Sequence, residues 1–314
     1  MSDLPTEILR EIFTYFSSPL RVSLAYQFPW YLGQVCSQWR TLFFSMRSTF
    51  WKKIEIDWLY NYRLSPPSLM TSPERVSTIL AFFLNRTQGA PFSFSFFHLN
   101  YYKGQDQEQM RRILKDLLDY SRQWEEVSMR LLLADLNLLR DAKGHLPLLK
   151  RLDIVVVNDY RSRIPHPSLT IFEDAPLLIH VVVGGIFAWE FDWLSLTILS
   201  IGCNQNLTRT FAILQKTVNL VELTVSDVVH NGDVAISGLI HLPHLEYLFI
   251  QGDGLLTVLK TPALRRLEIG GLQDALSFVK ARVAVDFFHR SGLKLALVEN
   301  GKSEKDVLLH TSTI

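Results

Sequence analysis

The chain is predicted to be an α/β protein: a small N-terminal module of three helices, followed by a repetitive array whose short strands lie parallel in a sheet. Three observations carry this expectation. Apolar residues in the first 57 positions recur at helical steps. From residue 124 onward, a six-residue apolar pattern returns at intervals of twenty-odd residues. The composition, 48% hydrophobic and 20% charged over 314 residues, supplies a sizeable core and excludes a disordered chain.

In the module, Pro5 stands where a helix tolerates proline best, in the first turn, with Glu7 beside it to complement the positive end of the dipole. Leu4, Ile8, Leu9, Ile12, Phe13 and Phe16 then form a broad apolar stripe that ends at the turn signal Ser17-Ser18-Pro19. A second helix follows Pro29, with Leu32, Val35, Cys36, Trp39 and Phe43 on one face, and a short third piece holds Phe50 and Trp51. So few residues in two or three helices cannot hide so many large side chains by packing on themselves. Either another protein covers the remainder, or the module caps the array that follows.

Residues 58–74 shift to tyrosine, asparagine and serine around a Pro66-Pro67 pair and read as a linker. The array is expected over residues 75–298. It opens with helices at 76–85 and 107–120 and with a strand at 91–96, where Phe92, Phe94 and Phe96 alternate with smaller residues. The repeat itself is Leu149-x-x-Leu152-x-Ile154, which returns from Leu178, Leu196, Leu220, Leu245 and Leu264 and has a weaker upstream copy from Trp124. Between 124 and 264 the first positions advance by 25, 29, 18, 24, 25 and 19 residues, 23.3 on average. Connectors at 212–217 and 272–282 can be helical, whereas the 18-residue step leaves little room for a helix.

Strand side chains alternate, so strands centred near Val127, Leu152, Val181, Leu199, Leu223, Leu248 and Leu267 bury the repeat positions and present the residues between them. Arg151, Asp153, Glu222, Tyr247, Phe249 and Arg266 fall in this presented stripe. Its aromatics and arginine are residue types enriched where proteins bind proteins, which makes these six the candidate target-binding residues. Residues 299–314 carry no repeat and are expected to fray.

Two resemblances follow from these residues. The run Leu4-Pro5-Thr6-Glu7-Ile8-Leu9-Arg10-Glu11-Ile12-Phe13, then Leu32-Gly33-Gln34-Val35-Cys36-Ser37-Gln38-Trp39-Arg40, then Phe50-Trp51 ahead of Ile54 and Ile56, resembles an F-box of the fungal type. It departs from that pattern at Ser48 and Thr49, where a proline usually precedes the aromatic pair. The repeat resembles the leucine-rich repeat, whose usual asparagine five residues after the second leucine occurs here as Asn204 but is replaced by Val157, Ile186, Val228, Asp253 and Leu272 elsewhere. Together they imply an F-box module joined to a leucine-rich-repeat-like solenoid with a parallel sheet. The implied function is that of a substrate receptor in a cullin-type ubiquitin ligase, with no active site and no cofactor of its own. In that family the module docks on a Skp-type adaptor, and through it on a cullin. The positions here would be Leu4, Pro5, Ile8, Leu9, Ile12, Phe13, Leu32, Val35, Cys36, Trp39 and Trp51. The alternative is a free-standing repeat scaffold that binds proteins without any ligase.

Other classes find little support. A formal charge of +1 offers no broad electrostatic footprint for nucleic acid or an anionic membrane. Cys36 and Cys203 are too few for a disulfide framework or a zinc module, which suggests a reducing, cytoplasmic or nuclear setting. Gly252-x-Gly254 lacks a third glycine and reads as a turn, and the proline in His241-Leu242-Pro243-His244 spoils helical presentation of a histidine pair to a metal.

Overall fold

The structure, a computed structural model, describes residues 4–15, 20–22, 31–56, 73–98, 105–157, 169–185, 189–202, 207–226, 238–251, 254–270, 278–297 and 307–312. The chain divides into two compact units, Met1–Arg151 and Leu152–Ile314, a division that falls inside the span expected to be a single array. Both units are α/β.

In the first unit, β1 (Leu20–Arg21), β2 (Lys53–Ile56), β3 (Phe92–Phe97) and β4 (Trp124–Leu132) pair in that order, each pair parallel. Helices α1 (Thr6–Tyr15), α2 (Leu32–Val35), α3 (Ser37–Ser45) and α4 (Arg47–Phe50) belong to the N-terminal part. Parallel neighbours need a crossover, and α5 (Pro73–Thr87) and α6 (Gln105–Leu118) supply those between β2, β3 and β4, with the short α7 (Leu136–Leu139) after β4. The chain leaves α5 through a left-handed pair, Gln88 at φ 48° and Gly89 at φ 84°, the second of which suits glycine because it carries no Cβ.

A chain of aromatic rings fills this unit. Phe13 meets Trp39 at 5.1 Å between centroids, Phe43 meets Phe50 at 4.9 Å and Trp51 at 5.3 Å, and Trp51 meets Phe83 at 6.1 Å. Phe83 then touches Phe92, and Phe94 touches Trp124 edge-on at 5.1 Å. The phenylalanine face read at 91–96 is present, since Phe92, Phe94 and Phe96 are all buried, but the alternation is incomplete because Ser93 is buried too. The N-terminal helices therefore share one core with the first strands. The sheet also begins earlier than residue 75, since β1 and β2 are part of it.

In the second unit, β5 (Arg151–Val157), β7 (His180–Gly184), β9 (Ile198–Gly202), β10 (Glu222–Val225), β12 (Tyr247–Gln251) and β14 (Arg266–Gly270) are consecutive neighbours in the sheet. From β7 to β14 every pair is parallel. All seven expected strand centres, Val127 included, lie in strands. The registers share one phase: Val181 pairs with Leu199, Leu199 with Leu223, Leu223 with Leu248, and Leu248 with Leu267. These residues, with Leu152, Ile154, Val183, Ile201, Val225 and Ile250, are buried, and each such side chain contributes about 1.5–3 kcal/mol of burial free energy. The connecting segments hold β6 (Leu169–Phe172) paired with β8 (Trp189–Phe191), β11 (Ile240–His241) paired with β13 (Leu259–Lys260), and the helices α8 (Leu207–Leu214) and α9 (Phe278–Ser291).

Several local expectations change. The helix after Pro29 is two helices, because Cys36 is extended (φ −158°, ψ 173°) and caps the second one, its Sγ accepting from the Trp39 N–H at 3.5 Å. The helix expected at 212–217 lies earlier, as α8. The one expected at 272–282 lies later, as α9, with residues 271–277 outside the described residues. The 18-residue step holds β8 in place of a helix, in agreement with its length. Most of the expected linker, residues 58–72, is outside the described residues. The C-terminal span is corrected: instead of fraying, β16 (Val307–Ser312) pairs antiparallel with β14 and with β15 (Lys294–Leu297). Its Val-Leu-Leu-His-Thr sequence suits a strand, and the antiparallel direction lies beyond the reach of a repeat that reports parallel strands alone.

Candidate functional site

Two surfaces gather the candidate residues, one on the N-terminal helices and one on the sheet of the second unit. On α1 the apolar arc is wider than the core can cover. Leu9 and Phe13 are buried, while their neighbours stay outside: Leu4 is 49% exposed, Ile8 45% and Ile12 36%. Tyr15, three residues on, is 81% exposed and continues the stripe, although the repeat spacing had not singled it out. The side chain of Gln38 donates to the Leu4 carbonyl at 3.4 Å and ties the start of α1 to α3. Val35 and Cys36, at the junction of α2 and α3, are exposed, and Tyr31 just before them is as well.

The structure thus separates the eleven residues grouped by the resemblance. Leu4, Pro5, Ile8, Ile12, Val35 and Cys36 reach the surface and Trp39 is half-buried against Phe13. Leu9, Phe13, Leu32 and Trp51 are interior. The Trp51 indole N–H donates to the Phe43 carbonyl at 3.4 Å, and Leu32 begins a helix in which a Cβ added at Gly33 would meet the Phe43 ring at 3.4 Å. These four pack in the interior and do not reach the surface.

On the sheet, the parallel register sets the presented residues in rows across neighbouring strands. One row runs His180, Ile198, Glu222, Tyr247, Arg266, and the next runs Val182, Ser200, Thr224, Phe249, Glu268. Glu222 and Arg266 are exposed, and Tyr247 and Phe249 are half-buried between them. The Arg266 guanidinium carbon lies 5.4 Å from the Tyr247 ring centroid, within cation–π range, and Arg266 also pairs with Glu268. Burial raises the pKa of the Tyr247 hydroxyl, and the Glu268 carboxylate, which it meets by a hydrogen bond, raises it further against the opposing pull of Arg266. Four of the six sequence-derived residues are brought together in this way. Arg151 and Asp153 sit on β5, three strands from β10 in the sheet order, and do not join them. Glu268 belongs to the cluster and was legible as the next outward position after Arg266.

Elsewhere, Lys115, Asp119, Arg122, Asp141 and His145 line a surface cavity of about 500 Å³ in the first unit. Among the described residues, no three His, Cys, Asp or Glu side chains gather as a metal site requires, and no helix is long and apolar enough to cross a membrane. The chain matches no protein-family model and no curated protein.

Proposed function

We propose that this chain is the substrate-receptor subunit of a cullin-type ubiquitin ligase, working in the cytoplasm or nucleus. It docks a Skp-type adaptor through its N-terminal helices, holds a target protein on its repeat sheet, and contributes binding without a catalytic site. The observation that carries the reading is the exposed apolar stripe formed by Leu4, just ahead of α1, and by Ile8 and Ile12 on it, on a helix whose Leu9 and Phe13 already satisfy the core. A stripe of large apolar side chains left outside a completed core is the mark of a surface meant for another protein. Its residues fall within the run Leu4–Phe13 that resembles the start of the F-box pattern, Leu4 being the leucine of Leu-Pro-x-Glu. On the same reading the in-phase strands of the second unit are the strands of a leucine-rich-repeat-like solenoid, and the presented rows face the target.

The test is co-expression with a Skp-type adaptor. Ile8→Asp together with Ile12→Asp places charge in the interface while leaving Leu9 and Phe13 to hold the fold. Unpaired interfacial charge costs several kcal/mol, so the complex should weaken by about a thousandfold or more. Circular dichroism of the variant should match the wild type. Wild-type recovery of the adaptor by the double variant would remove the ligase reading in favour of a scaffold.

A further inference from the structure

Resting on the reading that the sheet of the second unit receives a target, we propose that the target presents a lysine or arginine to Glu222, beside the rings of Tyr247 and Phe249. The argument is one of charge complementarity on an aromatic sheet face. Neighbouring strands stand about 4.8 Å apart, so Tyr247 has Glu222 on one flank and Arg266 on the other, and Phe249 has Thr224 and Glu268.

The two flanks differ in how their charge is satisfied. On the β14 side, Arg266 pairs with Glu268 and lies over the Tyr247 ring. On the β10 side, Glu222 is exposed, and among the described residues no cation pairs with it. Outward positions of β5, β10 and β14 hold Asp153, Glu222 and Glu268 against the guanidinium groups of Arg151 and Arg266, so these charges leave a net negative sign. The raised pKa of the Tyr247 hydroxyl, to which Glu268 and Glu222 both contribute, is consistent with that sign. An acidic or phosphorylated segment would meet two carboxylates and a guanidinium already engaged. A basic side chain gains the Glu222 carboxylate and an aromatic ring face together, and half-buried rings strengthen both interactions by excluding water.

The experiment uses the full chain and a display library of random twelve-residue peptides, with enriched peptides synthesised and their Kd measured by fluorescence anisotropy. Enriched sequences should carry Lys or Arg in excess over the library. Glu222→Gln should weaken their binding about tenfold, equivalent to 1.4 kcal/mol, and Glu222→Lys should weaken it further. Replacing the peptide's own basic residue by Gln should produce the same loss on the wild-type chain, an arm that does not depend on how the protein variants fold. Absence of enrichment, enrichment of acidic or uncharged sequences, or affinities unmoved by either replacement would overturn the proposal. Adaptor binding plays no part in this measurement. A chain that selects basic peptides yet never binds the adaptor would sink the ligase reading alone, and the reverse result would sink this inference alone.

Discussion

Asp135 is fully buried, and three groups surround its carboxylate: the Leu132 N–H donates to Oδ2 at 3.1 Å, Arg111 Nε donates to Oδ1 at 3.4 Å, and His98 Nδ1 stands 2.8 Å from Oδ2 as an ion-pair contact. His98 follows β3 and Arg111 belongs to α6, so one side chain fastens the ends of two strands to a helix. Asp135→Ala leaves buried donors without their acceptor, and each such loss costs about 1–3 kcal/mol. The variant should lose about 3 kcal/mol or more of stability in urea unfolding, and a loss below about 1 kcal/mol would show that water replaces the carboxylate. Nothing in the sequence marks this cluster, because its members are far apart in the chain and of types usually found on surfaces. The α1 stripe teaches a related lesson. Ile8 and Leu9 are adjacent and equally apolar, yet one is 45% exposed and the other 1%. Periodicity locates an apolar arc to within about one residue step of 100°, and only the packing partner decides which edge of the arc is covered.

Among the elements, strands were far more legible than the pieces that join them. Leu199, Leu223 and Leu248 stand in the same slot of successive strands, where full burial admits few alternatives. The connectors face no such uniform demand, and they vary accordingly between helix, short strand and 3₁₀ turn. The break at Cys36 was invisible for the same reason, since a capping sulfur leaves the apolar spacing of the helix intact. Tethers between elements were equally hidden. Glu125 on β4 accepts from Lys150 at 2.9 Å, just ahead of β5, and lies 3.3 Å from Lys52, just ahead of β2. The hydrogen bond from Lys150, with help from Lys52, holds the Glu125 carboxyl below its ordinary pKa. A depressed folded-state pKa stabilises above the unfolded value of about 4.3 and loses that contribution as pH falls through the folded one. The difference in urea midpoint between wild type and Glu125→Gln should therefore be largest at neutral pH and should close as the pH falls below the unfolded value and through the lower folded one. Solvent screening keeps it small, because both lysines are more than half exposed. A difference that grows on acidification would assign the shift to another group.

At the scale of the whole molecule, the second unit is held by a register that repeats: each strand offers its neighbour the same buried positions as the last. Such a sheet has no unique centre, unlike a core in which every side chain has a single complement. Its length is then a countable property, adjustable in whole steps and intolerant of fractions. Excising residues 196–219, which hold β9 and α8, joins Ser195 to Leu220 and lets Val181 take Leu223 where it now takes Leu199. The shortened chain should keep a cooperative unfolding transition and a circular dichroism spectrum of the same shape. Deleting Leu223 alone shifts every later side chain of β10 to the opposite face, and that variant should be recovered aggregated or unfolded. Were the single deletion the milder of the two, the strands would not be interchangeable units. If they are, a gene carrying this array can gain or lose one step of about two dozen codons and still encode a foldable protein, with a longer or shorter sheet.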